Sequence, residues 1–191
     1  MTPGRVEAAG WALAVLPALL LAWGLAGGAY DASPWRFAVR ESGLWAMRFT
    51  TLALAISPFV AATGWHRIEP ARRAFGLAGA LYAFAHLWFW MRQYAFDWPF
   101  LADELLRLFL ALGLAATLLM VPLAATSNGA ARARLGPAAW RRLHLLVFPA
   151  AALGWWHFSL AVRLDRRELY AHGAVLLAAF ALRLVRATAA R

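Results

Sequence analysis

The chain has 191 residues and a formal net charge of +10, is 63% hydrophobic and only 15% charged, and has a mean hydropathy of +0.60. A soluble domain carries about a quarter charged residues, and here the apolar residues lie in long blocks, which places the chain in the membrane class. The absence of cysteine excludes disulfides, thiolate metal sites, iron–sulfur clusters and covalent attachment through a C-x-x-C-H motif.

Six apolar segments follow in order: 11–30, 43–63, 74–91, 101–125, 140–162 and 169–185. Most reach the ~20 residues needed to cross ~30 Å of hydrocarbon. The predicted fold is therefore all-α, a polytopic membrane bundle of about six transmembrane helices. Ser33-Pro34, Glu69-Pro70, Trp98-Pro99, Ser127-Asn128-Gly129, Gly136-Pro137 and the polar run 165–168 mark the gaps. No linker is long enough to divide the chain, so 1–191 reads as one domain. The first segment, with Arg5 before it and small residues after it, also resembles a signal peptide. A retained helix is expected, because the apolar stretch exceeds a usual signal core and five more spans follow.

All 19 basic residues are arginine, and they lie between the apolar blocks rather than on one soluble face. Nucleic acid is therefore not an expected partner, and membrane lipid is. With a cytoplasmic N-terminus, eleven arginines fall on the inner side and seven on the outer, with Arg48 inside the second span. The positive-inside rule then puts both termini in the cytoplasm.

Five histidines are present. His66 and His172 lie at span ends, where an interfacial imidazole needs no further role. His86, His144 and His157 lie inside the third and fifth spans, where an ionisable side chain usually faces the bundle interior and has a function. His86 is six residues before Arg92 and His157 six before Arg163. Both imidazoles are thus expected ~9 Å inside the outer boundary, on two helices running the same way. Two imidazoles at one depth form the arrangement that clamps a heme iron from both faces. His144, 13 residues before His157, is expected ~20 Å lower, at the level of Arg72 and Arg73. There it can ligate a second, inner heme, with arginine nearby to pair with the propionates or stand opposite the iron. On a straight helix 13 residues turn by about 220°, so His144 and His157 share a face only if Pro149 or Gly154 reorients the helix. Each histidine taken alone is equally well read as a hydrogen-bonding link between helices. Most of the 11 tryptophans suit an interfacial belt, which is also the safer reading of Trp155 and Trp156 beside His157. No Gly-rich phosphate loop follows a strand, so no soluble nucleotide domain is expected.

Several runs carry a family resemblance: Gly43-Leu-Trp-Ala-Met-Arg-Phe to Ser57-Pro58, Arg72-Arg73-Ala-Phe-Gly-Leu to His86, and Pro122-Leu-Ala-Ala-Thr-Ser-Asn. The most specific is Arg134-Leu-Gly with Trp140-Arg-Arg-Leu-His144, His157 and Leu169-Tyr170-Ala171. From Gly43 onward the chain resembles the heme-binding membrane subunit of the periplasmic methionine sulfoxide reductase system (MsrQ/YedZ), within the ferric-reductase-like transmembrane group. The resemblance implies heme b, one or two per chain, and flavin mononucleotide (FMN). It implies cofactor binding by His86, His144, His157 and Arg72, with the three histidines as metal ligands. It also implies an electron-transfer subunit of the bacterial inner membrane rather than a catalytic one. Electrons would pass from the quinone pool or a cytoplasmic flavin reductase to a periplasmic molybdopterin-containing methionine sulfoxide reductase, for repair of oxidised envelope proteins. Thr126-Ser-Asn stands where the family usually shows Thr-Ser-Thr. Two further readings remain: a stand-alone ferric or quinone reductase on the same scaffold, and a non-redox transporter or assembly scaffold.

Overall fold

Proline and glycine set the helix ends. In the computed structural model, which describes residues 2–28, 33–162 and 166–189, Pro34 lies in the first turn of its helix, where its missing N–H costs nothing. Gly64 closes the same helix at φ 71°, a left-handed conformation that glycine takes freely. Tyr30, Asp31, Arg163, Asp165 and Arg191, which bear on the expected spans and topology, lie outside the described residues.

The helices are α1 (Pro3–Ala26), α2 (Pro34–Thr63), α3 (Ala71–Gln93), α4 (Trp98–Leu105), α5 (Leu108–Ala125), α6 (Gly129–Leu143), α7 (Val147–Ala161) and α8 (Arg167–Ala189). No strand occurs among the described residues. Among the described residues, six helical stretches are long and apolar enough to cross a membrane, α6 and α7 together forming one of them. The fold is an all-α polytopic bundle.

Four segments differ from their sequence expectation, the first because its helix begins eight residues earlier, at Pro3, and ends at Ala26. The second span begins nine residues earlier, at Pro34, and its 30 residues extend roughly 45 Å at 1.5 Å each. That exceeds the ~30 Å hydrocarbon core, so the charged first turns overhang it. The fourth span is broken. Asp97 caps the short α4 through the Phe100 N–H, and the chain leaves helical geometry at Arg107 before α5 begins. The fifth span starts in α6, which Asn128 caps through the Ala131 N–H at 2.8 Å. Gly136 (φ 74°, ψ 157°) then kinks α6 immediately before Pro137, since the residue before proline avoids helical backbone and glycine alone tolerates this one. His144 consequently sits in a 3-10 turn, His144–Leu146, that joins α6 to α7.

Packing closes a ring: α2 on α3, α3 on α5, α5 on α7, α7 on α8, and α8 back on α2. Helix α1 lies outside it against α3. A Cβ built on Gly10 would sit 3.0 Å from the Ala74 Cβ, so the two backbones approach closely, as small residues allow inside a bilayer. Tyr82 donates to the Ala14 carbonyl at 2.8 Å, and Arg73 pairs with Glu7. Phe49, 2% exposed, stacks between Trp45, Phe75 and Tyr82 with ring centres 5.4, 6.0 and 5.4 Å away. Leu13, Leu16, Leu20, Leu118, Val121, Leu177 and Leu184 are exposed, as lipid-facing residues are in a bilayer.

Candidate functional site

Two cavities open within the ring at opposite ends. The first, about 1080 Å³, is lined by residues near the start of α1, the 69–73 turn, the 127–132 turn and the last turns of α8. The second, about 970 Å³, is lined from the first turns of α2, the ends of α3 and α7, and the start of α5. Thr50 and Met120 line both. They are called the inner and outer cavity below, after the arginine asymmetry.

His86 of α3 and His157 of α7 both line the outer cavity. Their ring centres are 6.0 Å apart and their planes cross at 78°. The Nδ1 of His86 lies 2.7 Å from the Val39 carbonyl of α2, and that of His157 lies 2.7 Å from the Phe109 carbonyl of α5. A carbonyl oxygen only accepts, so both Nδ1 atoms carry the proton and donate it. Each neutral ring then keeps its lone pair on Nε2, the tautomer a metal ligand needs. The Phe109 ring also stacks on His157 at 4.4 Å and 10°. A metal–imidazole bond is ~2 Å and the ring centre lies a little over ~1 Å beyond the nitrogen, so imidazoles sharing one ion have centres roughly 6 Å apart. This donor pair fits a single metal ion held from both sides. Arg36, Arg40 and Arg48 line the same cavity and suit the carboxylates of an anionic cofactor.

His144 and Arg72 line the inner cavity together, with Arg73, Arg132, Arg141, Arg142, Arg183 and Arg186. His144 stacks on Trp140 at 3.9 Å, and Trp140 donates to the Thr126 carbonyl at 2.9 Å. The Thr126 hydroxyl gives its one proton to the Pro122 carbonyl at 2.6 Å. Its 3.1 Å contact with His144 Nε2 is therefore donated by the imidazole. Unlike the outer pair, His144 has its Nε2 engaged. Arg73 reaches across to donate to the Ser127 carbonyl at 2.8 Å.

The remaining histidines divide. His66 is exposed in a 3-10 turn and contacts Glu69 at 3.2 Å. His172 departs from its expected interfacial setting: it is 7% exposed, its Nε2 has no hydrogen-bond partner among the described residues, and Glu168 lies 4.0 Å away. Helix α8 starts close enough to α2 for Arg48 to bond Glu168 at 2.6 and 3.3 Å, and in its first turns Leu169 and His172 are buried while Tyr170 is exposed. Two signals point to the cluster: Arg48 is a charge inside a span, which demands a partner, and Glu168 stands four residues before His172 on one helix face. Trp155 donates to the Leu169 carbonyl at 2.8 Å and packs on Gly173, so it joins α7 to α8.

Residues 42–155 match the family described as ferric reductase like transmembrane component. Several relatives carry the name protein-methionine-sulfoxide reductase heme-binding subunit MsrQ. That of Caulobacter vibrioides is 36% identical over 170 residues, covering 88% of this chain and 81% of the relative. That of Rhodospirillum rubrum is 38% identical, covering 86% and 80%, and that of Deinococcus radiodurans 36%, covering 79% and 75%. No solved structure matches. The chain therefore belongs to the ferric reductase like transmembrane family and, within it, to the MsrQ family.

Proposed function

We propose that this chain is a heme b electron carrier of the bacterial inner membrane, serving a periplasmic methionine sulfoxide reductase. The observation that carries the reading is the pair of tethered imidazoles in the outer cavity, His86 and His157, with ring centres 6.0 Å apart. These two residues would hold the iron, and Arg36, with no ion pair among the described residues, would offset propionate charge, since Arg40 and Arg48 are paired with Glu41 and Glu168. A heme bound there supplies a one-electron iron couple. The Val39 and Phe109 carbonyls hold the ligand rings in register, so a change of iron charge demands little movement of the protein.

The inner cavity would hold a second redox group, with His144 and Arg72 as the residues that bind it. Six of its arginines, Arg72, Arg132, Arg141, Arg142, Arg183 and Arg186, line it without an ion pair among the described residues, Arg132 and Arg183 lying over the Trp140 and Phe148 rings. Such a cluster suits the phosphate of FMN or the propionates of a second heme. FMN leaves the His144–Thr126 bond intact, whereas iron ligation through Nε2 requires it to break. Electrons enter at this end from the quinone pool or a cytoplasmic flavin reductase. They leave at the His86–His157 end towards the molybdopterin catalytic subunit. The surplus of arginines at the inner end supports cytoplasmic termini.

The test is an absorption spectrum of the detergent-purified protein with a pyridine haemochrome assay. A b-type spectrum is expected, low-spin in the wild type and lost or high-spin in His86→Ala and His157→Ala. A colourless protein, or two variants with the wild-type spectrum, refutes the reading.

A further inference from the structure

Gly43 and Gly113 stand in equivalent relation to the two imidazoles. His86 bonds the carbonyl of Val39 and His157 that of Phe109, and in each case the glycine lies four residues later on the same helix. In an α-helix the N–H of residue i+4 points at the carbonyl of residue i, so each glycine borders the oxygen its histidine approaches. A Cβ built on Gly43 would lie 2.7 Å from His86 Nδ1 and 2.9 Å from Cε1. A Cβ on Gly113 would lie 2.8 Å from His157 Nδ1 and 2.9 Å from Cε1. All four distances are well inside van der Waals contact. Any side chain at either position would push the ring off its carbonyl.

Backbone need does not explain these glycines. Both lie inside helices, and neither is among the positive-φ residues. Alanine is the better helix former at such a position. What glycine provides here is proximity.

We propose that Gly43 and Gly113 are positioning residues of the outer site, opening the Val39 and Phe109 carbonyls to His86 and His157 and so holding the ligand planes nearly perpendicular. The inference rests on the bis-imidazole reading above. One half-site is built from α2 and α3, the other from α5 and α7. The 78° crossing is fixed by where the two carbonyls stand, because each ring pivots on its own Nδ1–H···O bond. Perpendicular imidazole planes leave the two ferric d-orbitals of π symmetry nearly degenerate. That gives a strongly axial low-spin electron paramagnetic resonance signal with a large leading g value, whereas parallel planes give a rhombic one.

The experiment compares the heme-loaded wild type with Gly43→Ala, Gly113→Ala and Gly76→Ala. A Cβ at Gly76 meets nothing nearer than Ala53 at 3.9 Å, which makes it the control. The wild type and Gly76→Ala are expected to show the axial signal. Gly43→Ala and Gly113→Ala should turn rhombic or high-spin, while their heme-free forms melt like the heme-free wild type. Folded variants that keep the axial signal overturn the inference and leave bis-imidazole ligation standing. Variants whose heme-free form no longer folds also overturn it, because the glycines would then serve helix packing. A wild type without low-spin heme overturns the underlying reading instead.

Discussion

Arg48 and Glu168 meet through two N–H···O contacts of 2.6 and 3.3 Å, fastening the middle of α2 to the first turn of α8. Arg48 also lies over the Trp45 ring at 4.6 Å, and the carboxylate sits at a helix N-terminus, where negative charge is favoured. Both side chains keep some exposure, so the pair is worth about 1 kcal/mol rather than several. Glu168→Gln and Arg48→Met should each lower the thermal midpoint in detergent. The double variant should be less destabilised than the sum of the two. Strict additivity would show that the contact carries no coupling.

The hydroxyl of Tyr82, 9% exposed, ties α3 to the α1 backbone at Ala14. Tyr82→Phe leaves a buried carbonyl without that donor, at a cost of about 1 kcal/mol. Helix α1 lies outside the ring, so the loss should appear first as faster proteolysis at the α1–α2 connection, ahead of any change in the rest of the bundle. Equal cleavage rates in variant and wild type would exclude a docking role for this bond.

Topology has a direct readout. Alkaline phosphatase fused between Val162 and Arg166 should be active, and the same enzyme fused after Thr188 should be inactive. A green fluorescent fusion at the second position should fluoresce. Activity of the C-terminal phosphatase fusion would invert the bundle and exchange the roles assigned to its two ends.

His144→Ala is expected to block reduction of the outer site by a cytoplasmic donor. The outer spectrum and its reduction by dithionite should survive, because His144 lies at the other end. Thr126→Val, which removes the acceptor of the His144 Nε2 proton, should slow the same transfer by about 10-fold, as loss of an orienting partner does. If His144→Ala bleaches the outer heme and no second cofactor is found, His144 belongs to a single-heme site and the relay is wrong.

The spans were legible because a bilayer protein is apolar on both its lipid and its core faces, so its helices show as runs. Their ends were less legible. The residues Trp35 to Ser42 carry Arg36, Arg40 and Glu41, and hydropathy falls there while the helix continues. The break at Leu106 and Arg107 has no glycine or proline to announce it. Gly136-Pro137 was readable as a gap, yet the structure uses it as a kink within α6. In the site, the equal depth of His86 and His157 could be counted from their distances to flanking arginines. The Val39 and Phe109 carbonyls could not be found, since a backbone acceptor has no residue-type signature. His172 was misjudged because a position near a span end says nothing of the neighbouring helix that buries it.

Thr50 and Met120 each border both cavities, so at these two positions a single layer of side chain divides the ends of the bundle. In a membrane that carries a proton gradient, a file of water joining two such cavities would discharge it. Met120, 8% exposed, offers no good proton-relay group. The Thr50 hydroxyl lies where a Cβ on Gly79 would come within 2.5 Å of it, wedged against α3 with no room for a solvent molecule between them. The tight crossing of α2 and α3 at Thr50 and Gly79 thus closes the space between the two cavities at this point.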